Sequence, residues 1–182
     1  MIARLFGKLP AHGDFVCRGF VRAECDSYDR WLSASLADAL AEHGEAFGRL
    51  YESAPPWRFA LDDGRGGRAG GAIALSQDSA GRRFPVYLEV QALSAAAPVA
   101  VAAAAEELLF RAIAERWTAD ALAGAAGAVT CLKDEDQGDE AQGDEAGLWW
   151  LEGAGAADAL TGDRPRDLLS RMLAATVTGD PA

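Results

Sequence analysis

The order of the apolar segments predicts an α/β fold with a mixed β-sheet covered by helices on both faces, a three-layer sandwich. One strand pattern comes first, two helical patterns follow, and strand patterns then lie before and after one long helix. The chain has 182 residues, of which 50% are apolar, and this is enough to bury one sizeable core. We therefore expect residues 1–182 to form a single domain.

The charge balance argues against nucleic acid as a partner. The chain carries 17 Lys and Arg against 28 Asp and Glu, a formal net charge of −11. Binding to phosphates needs clustered Lys and Arg on the contacting face. A net negative charge instead favours solubility and suits a basic protein partner.

The cysteines and the amino terminus predict a reducing, cytoplasmic compartment. Arg4 and Lys8 interrupt the apolar start, which makes it a poor secretory signal. The alanine-rich stretch 95–105 is too short to span a bilayer, so no membrane insertion is expected. The odd number of cysteines fits neither a disulfide framework nor a zinc knuckle and predicts free thiols at Cys17, Cys25 and Cys131.

The first strand, Ile2 to Phe6, leads into a loop from Gly7 to Arg18 that is rich in turn-forming residues. Glycine admits positive φ and proline fixes φ, so these residues specify the backbone of the loop; they are Gly7, Pro10 and Gly13. The loop also holds Lys8, His12, Asp14 and Arg18, beside the apolar Leu9, Phe15 and Val16. We expect an architectural corner pinned to the core, with a polar interaction site as the alternative.

Two helices are predicted next. Asp26 stands where an N-cap is expected, ahead of an apolar stripe at helical spacing formed by Tyr28, Trp31, Leu32, Leu36 and Leu40. Gly44 breaks this helix, and a second one carries Phe47, Leu50 and Tyr51 on one face. The aromatic residues of the stripe are expected in the core rather than against a cofactor.

Strand patterns fill the middle of the chain. Segments 57–61, beginning at Trp57, and 72–75 predict a hairpin with a glycine-rich tip. The tip lacks the lysine and the following helix of a phosphate-binding loop. After a turn at 77–83, a strand runs from Phe84 to Val90, with Pro85 near its start, where a missing donor is tolerated.

The second half contains the longest helix, opened by Pro98 and running to Trp117. Segments 129–132 and 148–151 predict a second hairpin, whose tip holds the pentapeptide Gln-Gly-Asp-Glu-Ala twice in succession. We expect residues 134–146 to be a flexible acidic insertion; an acidic partner hook or a cation site is the alternative. A short helix at 165–173 and a frayed tail at 175–182 complete the prediction.

No catalytic set stands out in the sequence. His12, Asp14 and Cys17 are close in the chain, but an irregular loop gives them no assured geometry. Ser79 lacks the leading glycine of a nucleophile elbow. We expect a protein that is not an enzyme and needs neither cofactor nor metal.

Four segments resemble, in order and at similar spacing, the TagF family of type VI secretion-associated proteins. They are Gly-Lys-Leu-Pro-Ala-His-Gly-Asp-Phe-Val at 7–16, Tyr-Asp-Arg-Trp-Leu at 28–32, Pro-Trp-Arg-Phe-Ala-Leu at 56–61 and Asp-Ser-Ala-Gly-Arg-Arg-Phe-Pro at 78–85. In this chain Ser79 stands where the family commonly has arginine. The resemblance implies a cytoplasmic, non-catalytic protein that restrains type VI secretion after translation by binding a forkhead-associated scaffold protein.

The motif loops are the predicted partner-binding region, through Lys8, Asp14, Arg18, Arg82 and Arg83. Solvated charge or local ion pairs are the alternative for each basic residue. Residues expected to serve the architecture of the motifs are Gly7, Pro10, Gly13, Trp31, Trp57, Phe84 and Pro85. Two other classes of function stay open, a structural component of the secretion apparatus and a small hydrolase using Cys17 or Ser79, and the oligomeric state is not predicted.

Overall fold

The computed structural model describes residues 3–62, 67–92, 97–129, 147–153 and 158–178. Within these ranges the strands are β1 (Ala3–Gly7), β2 (Val16–Arg18), β3 (Trp57–Asp62), β4 (Arg68–Ala74), β5 (Val86–Gln91), β6 (Leu148–Trp150) and β7 (Leu160–Thr161). The α-helices are α1 (Arg22–His43), α2 (Phe47–Ser53), α3 (Ala97–Ala114), α4 (Ala119–Val129) and α5 (Leu168–Thr178), with a 3₁₀ turn, Gly44–Ala46, between the first two.

The strands form one seven-stranded sheet in the order β2-β1-β5-β4-β3-β6-β7. Every pairing among the described strands is antiparallel. The α/β class is confirmed, but the prediction of a mixed sheet is wrong. Strands β3, β4 and β5 are consecutive and alternate in direction, whereas β1–β5 and β3–β6 join distant segments, whose relative direction strand patterns do not encode.

Apolar side chains lie on both faces of the sheet. One core cluster joins strand residues such as Phe6, Phe59 and Trp149 to side chains of α1, α2 and α5. The other joins alternate strand residues, such as Leu5 and Leu88, to side chains of α3 and α4. This division follows from the two-residue period of a strand, which sends successive side chains to opposite faces.

Helix α3 packs closely on the second face because β4 contains glycine where the helix begins. A Cβ added at Gly70 would lie 2.1 Å from the carbonyl oxygen of Pro98. Glycine is therefore required at Gly70 for the helix to approach the sheet so closely.

Helix α1 begins four residues before the predicted N-cap, Asp26. Its first residue is Arg22, and the Glu24 carboxylate accepts a hydrogen bond of 2.8 Å from the Val21 amide. A side chain that reaches back from the first turn thus satisfies an amide at the helix start, and the prediction of Asp26 as the cap is wrong.

Several predicted boundaries in the second half also change. Val129 is the last residue of α4 instead of the first residue of a strand, and β6 pairs with β3 and β7. Segment 130–132 and the acidic insertion, 134–146, lie outside the described residues. The last helix continues through residues 175–178, where a tail was predicted, and 179–182 are again outside the described ranges.

Candidate functional site

A sharp corner at Gly7 brings two loops together at one end of the sheet. Gly7 has φ of +131°, and a Cβ at this position would lie 2.1 Å from the carbonyl oxygen of Pro85. The amide of Lys8 donates to that same oxygen at 3.4 Å. The first loop, residues 8–15, is thereby laid against the second loop, residues 75–85.

A buried ion pair joins the two loops. The Lys8 ammonium donates to Asp78 Oδ2 at 2.9 Å, and the side chains of the two residues are 8% and 0% exposed. Arg82 Nε donates to the same oxygen at 2.7 Å. Lys8, which the sequence placed in the partner-binding region, is thus enclosed between the loops and positions the second one.

Asp78 also organises the turn that follows it. Its Oδ1 accepts hydrogen bonds of 2.9 Å from the amides of Ala80 and Arg82. Burial alone would raise the pKa of the Asp78 carboxyl, but hydrogen bonds from Lys8, Arg82 and Ala80 hold this pKa well below its ordinary value of 3.8. Asp78 is therefore a charged carboxylate whose two oxygens both accept hydrogen bonds.

His12 connects the first loop to the start of α4. Its Nε2 accepts a hydrogen bond of 2.9 Å from the amide of Ala119. Because a backbone amide only donates, Nε2 carries no proton in this arrangement, and the neutral ring holds its proton on Nδ1. The His12 carbonyl accepts from the Ser79 amide at 2.8 Å, so one residue ties α4 and both loops together.

Two further anchors hold the loops to the body of the protein. Arg116 donates to the carbonyl of Pro10 at 2.7 Å. On the other side, the Tyr51 hydroxyl donates to the carbonyl of Ser76 at 2.8 Å, and burial raises the pKa of Tyr51. The loops are therefore fixed from α2 and from the segment between α3 and α4.

An aromatic group lies at the rim of the first loop. Phe15 is 44% exposed, yet its ring meets the Phe84 ring edge-on at 4.8 Å and stacks on Phe6 at 5.9 Å, measured between ring centroids. The Lys8 ammonium lies 5.0 Å from the centroid of the Phe15 ring. One side of the Phe15 ring thus packs against other aromatic side chains, and the rest of the ring is exposed to solvent.

We use the name loop face for the exposed residues of the two loops that lie around this contact. Arg82 crosses the loop face, with its side chain 61% exposed and one terminal nitrogen donating to the carbonyl of Gly13. Asp14 accepts a local hydrogen bond of 2.8 Å from the amide of Phe15. The members of the loop face are Ala11, Gly13, Asp14, Phe15, Ser79, Ala80, Gly81 and Arg82.

The remaining predicted site residues pair with acids elsewhere. Arg18 donates to Asp120 of α4 at 2.7 Å, and hydrogen bonding from Arg18 lowers the pKa of that carboxyl. Arg83 donates to Glu52 of α2 at 2.7 Å. Lys8 and Arg82 therefore meet at Asp78, Asp14 takes part in a local hydrogen bond, and Arg18 and Arg83 are directed to separate partners.

All but one of the predicted architectural residues have clear structural positions, and the exception is Gly13, whose φ is not positive. Gly7 forms the corner described above, Trp57 and Phe84 are buried, and the Trp31 indole donates to the carbonyl of Pro165 at 3.1 Å. Pro10 and Pro85 contribute carbonyl oxygens that accept hydrogen bonds from Arg116 and Lys8.

Cys17 and Cys25 form a disulfide, so the prediction of free thiols at these two positions is wrong. Their Cα atoms lie 6.6 Å apart because the chain reverses between β2 and α1 at Gly19, which has φ of +77°. The count of cysteines could not show this proximity. Cys131 lies outside the described residues.

A second polar cluster, which sequence reasoning missed, lies between β1, β5 and α1. Glu89 is buried and accepts from Arg4 at 3.0 Å and from the Tyr87 hydroxyl at 2.7 Å. Burial, followed by the charge on Glu89, raises the pKa of Tyr87 well above its ordinary value. Each of the two apolar strand patterns contains one charged residue, Arg4 in the first and Glu89 in the second, and this was the signal in the sequence. The two residues lie opposite each other in the ladder between β1 and β5.

In the described ranges, no three His, Cys, Asp or Glu side chains are grouped so that they could hold a metal ion. No helix in the same ranges combines the length and the apolar character that crossing a membrane requires.

The sheet order and helix packing define an α/β protein whose fold is shared with a solved structure. That structure is the crystal structure of PA0076 from Pseudomonas aeruginosa PAO1, with a TM-score of 0.72 and 23% sequence identity over 94% of this chain and 93% of that one. A family model described as the TagF N-terminal domain, type VI secretion system-associated, matches residues 4–135. The chain therefore belongs to the TagF family. Comparison with curated proteins gives no match.

Proposed function

We propose that this protein is a non-catalytic, cytoplasmic negative regulator of type VI secretion that acts after translation by binding a forkhead-associated scaffold protein. Membership of the TagF family supports the link to type VI secretion. We also propose that the fold is a three-layer arrangement with helices on both faces of the sheet. The two separate core clusters support this arrangement.

The contacts at the first loop favour binding over catalysis. Cys17 is bonded to Cys25, and His12 Nε2 already accepts a hydrogen bond from the Ala119 amide. A nucleophile and base drawn from His12, Asp14 and Cys17 would need a free thiolate and a free imidazole nitrogen. The same argument disfavours His12 as a base for Ser79.

The observation that carries the binding proposal is the rigid support beneath the loop face. Lys8 and Asp78 are buried and hydrogen-bonded directly under it, and Phe15 keeps 44% of its surface exposed above the fold. A rigid surface loses little conformational entropy on binding, and exposed aromatic and arginine side chains are frequent anchors in interfaces. Phe15 and Arg82 are the anchors we expect the partner to contact.

The direction of the effect on secretion tests the regulatory role. Deleting the gene should raise the secretion of a type VI substrate, and overproducing the protein should suppress it. Reduced secretion in the deletion strain would contradict the proposal and favour a structural component of the apparatus, which should also co-purify in fixed stoichiometry with it.

A matched pair of substitutions tests the loop face. Ala80→Trp adds bulk to the loop face at an exposed turn residue, whereas Ala41→Trp adds the same bulk to an exposed position of α1. We expect Ala80→Trp to weaken binding of the purified forkhead-associated scaffold by about tenfold or more, because bulk within an interface prevents close packing, and Ala41→Trp to leave binding unchanged. Equal affinities for the two variants would show that the loop face is not the contact.

A further inference from the structure

We propose that the Cys17–Cys25 bond is a reversible redox link that keeps β2 and the adjoining part of the first loop ordered, and thereby regulates the loop face. The regulation of the loop face rests on the proposed function, whereas the ordering of β2 by the disulfide is a property of this chain alone. The partner in the redox reaction is a low-molecular-weight thiol or its disulfide.

The bond lies at a weakly held edge of the sheet. Strand β2 has three residues and, among the described strands, pairs only with β1 at the edge of the sheet. An edge strand of this length contributes few ladder hydrogen bonds. Besides the disulfide, the side-chain anchors of β2 are the buried Val16 and the ion pair of Arg18 with Asp120, whose side chains are 39% and 78% exposed. Exposed pairs of this kind add little stability.

Cys25, at the other end of the bond, is held in place without the help of the disulfide. Cys25 lies in α1, whose start is secured by the hydrogen bond from the Val21 amide to Glu24 and by the ion pair between Glu24 and Arg4. Breaking the disulfide should therefore loosen β2 while α1 stays in place. Local opening of this sort involves the elements with the fewest supporting contacts.

The link can also form again. The two cysteines are separated by only eight positions, and the intervening chain already reverses direction at Gly19. Cys25 stays in α1, and the short connection to it keeps the Cys17 thiol close by after reduction even when β2 is loosened. A short separation of this kind favours an intramolecular bond over a mixed disulfide with an outside thiol.

The chemistry is thiol–disulfide exchange. The thiolate of a low-molecular-weight thiol attacks one sulfur, the Cys17–Cys25 bond breaks, and the other cysteine leaves as a thiolate that takes up a proton. A second small thiol then attacks the mixed disulfide. The products are two cysteine thiols and one small disulfide, so two electrons pass from the two small thiols to the protein, and the reverse reaction restores the bond.

Hydrogen exchange of the oxidised and reduced protein tests the link without any partner. Cys131→Ser is used as the background, so that the remaining cysteines are Cys17 and Cys25, and thiol alkylation with mass spectrometry reports their state. Amides at 16–18 should exchange about tenfold faster or more after reduction with a small dithiol, while those of α5 should not change. A Cys17→Ser variant should exchange at the fast rate under both conditions.

Equal exchange rates at 16–18 in the oxidised and reduced protein would overturn the proposal. So would two free thiols after incubation with a small disulfide. Because the measurement uses this chain alone, either result would leave the proposed scaffold binding standing, and a failure of scaffold binding would leave the redox link standing.

Discussion

The charge of Lys8 should contribute more to stability than any exposed charge of the chain. Lys8→Met keeps an unbranched apolar side chain in the same space but removes the ammonium that contacts Asp78. Losing one partner of a buried ion pair typically costs 3–5 kcal/mol. Arg82 still donates to the same carboxylate oxygen, so we expect a loss of about 2–3 kcal/mol on Lys8→Met. For a chain of this size, that corresponds to a fall of roughly 5–10 °C in Tm.

Urea unfolding followed by tryptophan fluorescence measures this loss. The matched control is Arg22→Met, which removes a charge whose side chain is 94% exposed and lies 3.8 Å from Asp26. That substitution should change the free energy of unfolding by about 0.5 kcal/mol or less. If the two variants unfold at the same urea concentration with equal slopes, then Lys8 does not stabilise the loops and the description of the site as a charge-supported scaffold is wrong.

Four further substitutions should have the following effects. The pKa of the Asp78 carboxyl is held below its ordinary value of 3.8. The stability that the charged carboxylate contributes is therefore complete above pH 3.8 and is lost as the pH falls further. In an acid titration followed by circular dichroism, Asp78→Asn should show a shallower loss of stability than the unaltered protein. Gly70→Ala should destabilise the fold by about 1–3 kcal/mol in urea, because its Cβ meets backbone of α3. Gly124→Ala, inside α4 with nothing within 4 Å of the added carbon, should stabilise by about 0.5–1 kcal/mol, and the opposite result for either glycine would contradict the packing described. Glu89→Gln should lower Tm by several degrees because it leaves the half-buried Arg4 without its buried counter-ion.

The regular elements were predictable where the apolar period was strong. The Tyr28 and Leu32 stripe predicts α1, and the alternation from Trp57 predicts β3. Helix α4 was missed because its sequence is mostly alanine and glycine, with Leu122 as the one large side chain on its buried face. Such a segment has too little contrast between its two faces to reveal a helical period.

The site was less predictable because its decisive contacts join residues distant in sequence. Lys8 and Asp78 are 70 positions apart, and His12 and Ala119 are 107 apart. A lysine in a polar loop is usually exposed, and nothing local to Lys8 indicates that a carboxylate will cover it. The disulfide presents the same difficulty at short range, because the proximity of Cys17 and Cys25 depends on the chain reversal that follows β2.

Two of the segments that carry the family resemblance form the loops of the candidate site. Residues 7–16 and 78–85 contain most of the two loops that meet at the Gly7 corner, and Lys8, Asp78 and Arg82 hold these loops together. These motifs therefore encode the support of the loop face. Under the proposed function, selection of a partner would then fall to the side chains that the support leaves exposed, and Ser79 lies among them. Substitutions at exposed positions should change partner preference without loss of the fold, whereas substitutions at Lys8 or Asp78 should reduce binding only by disordering the surface.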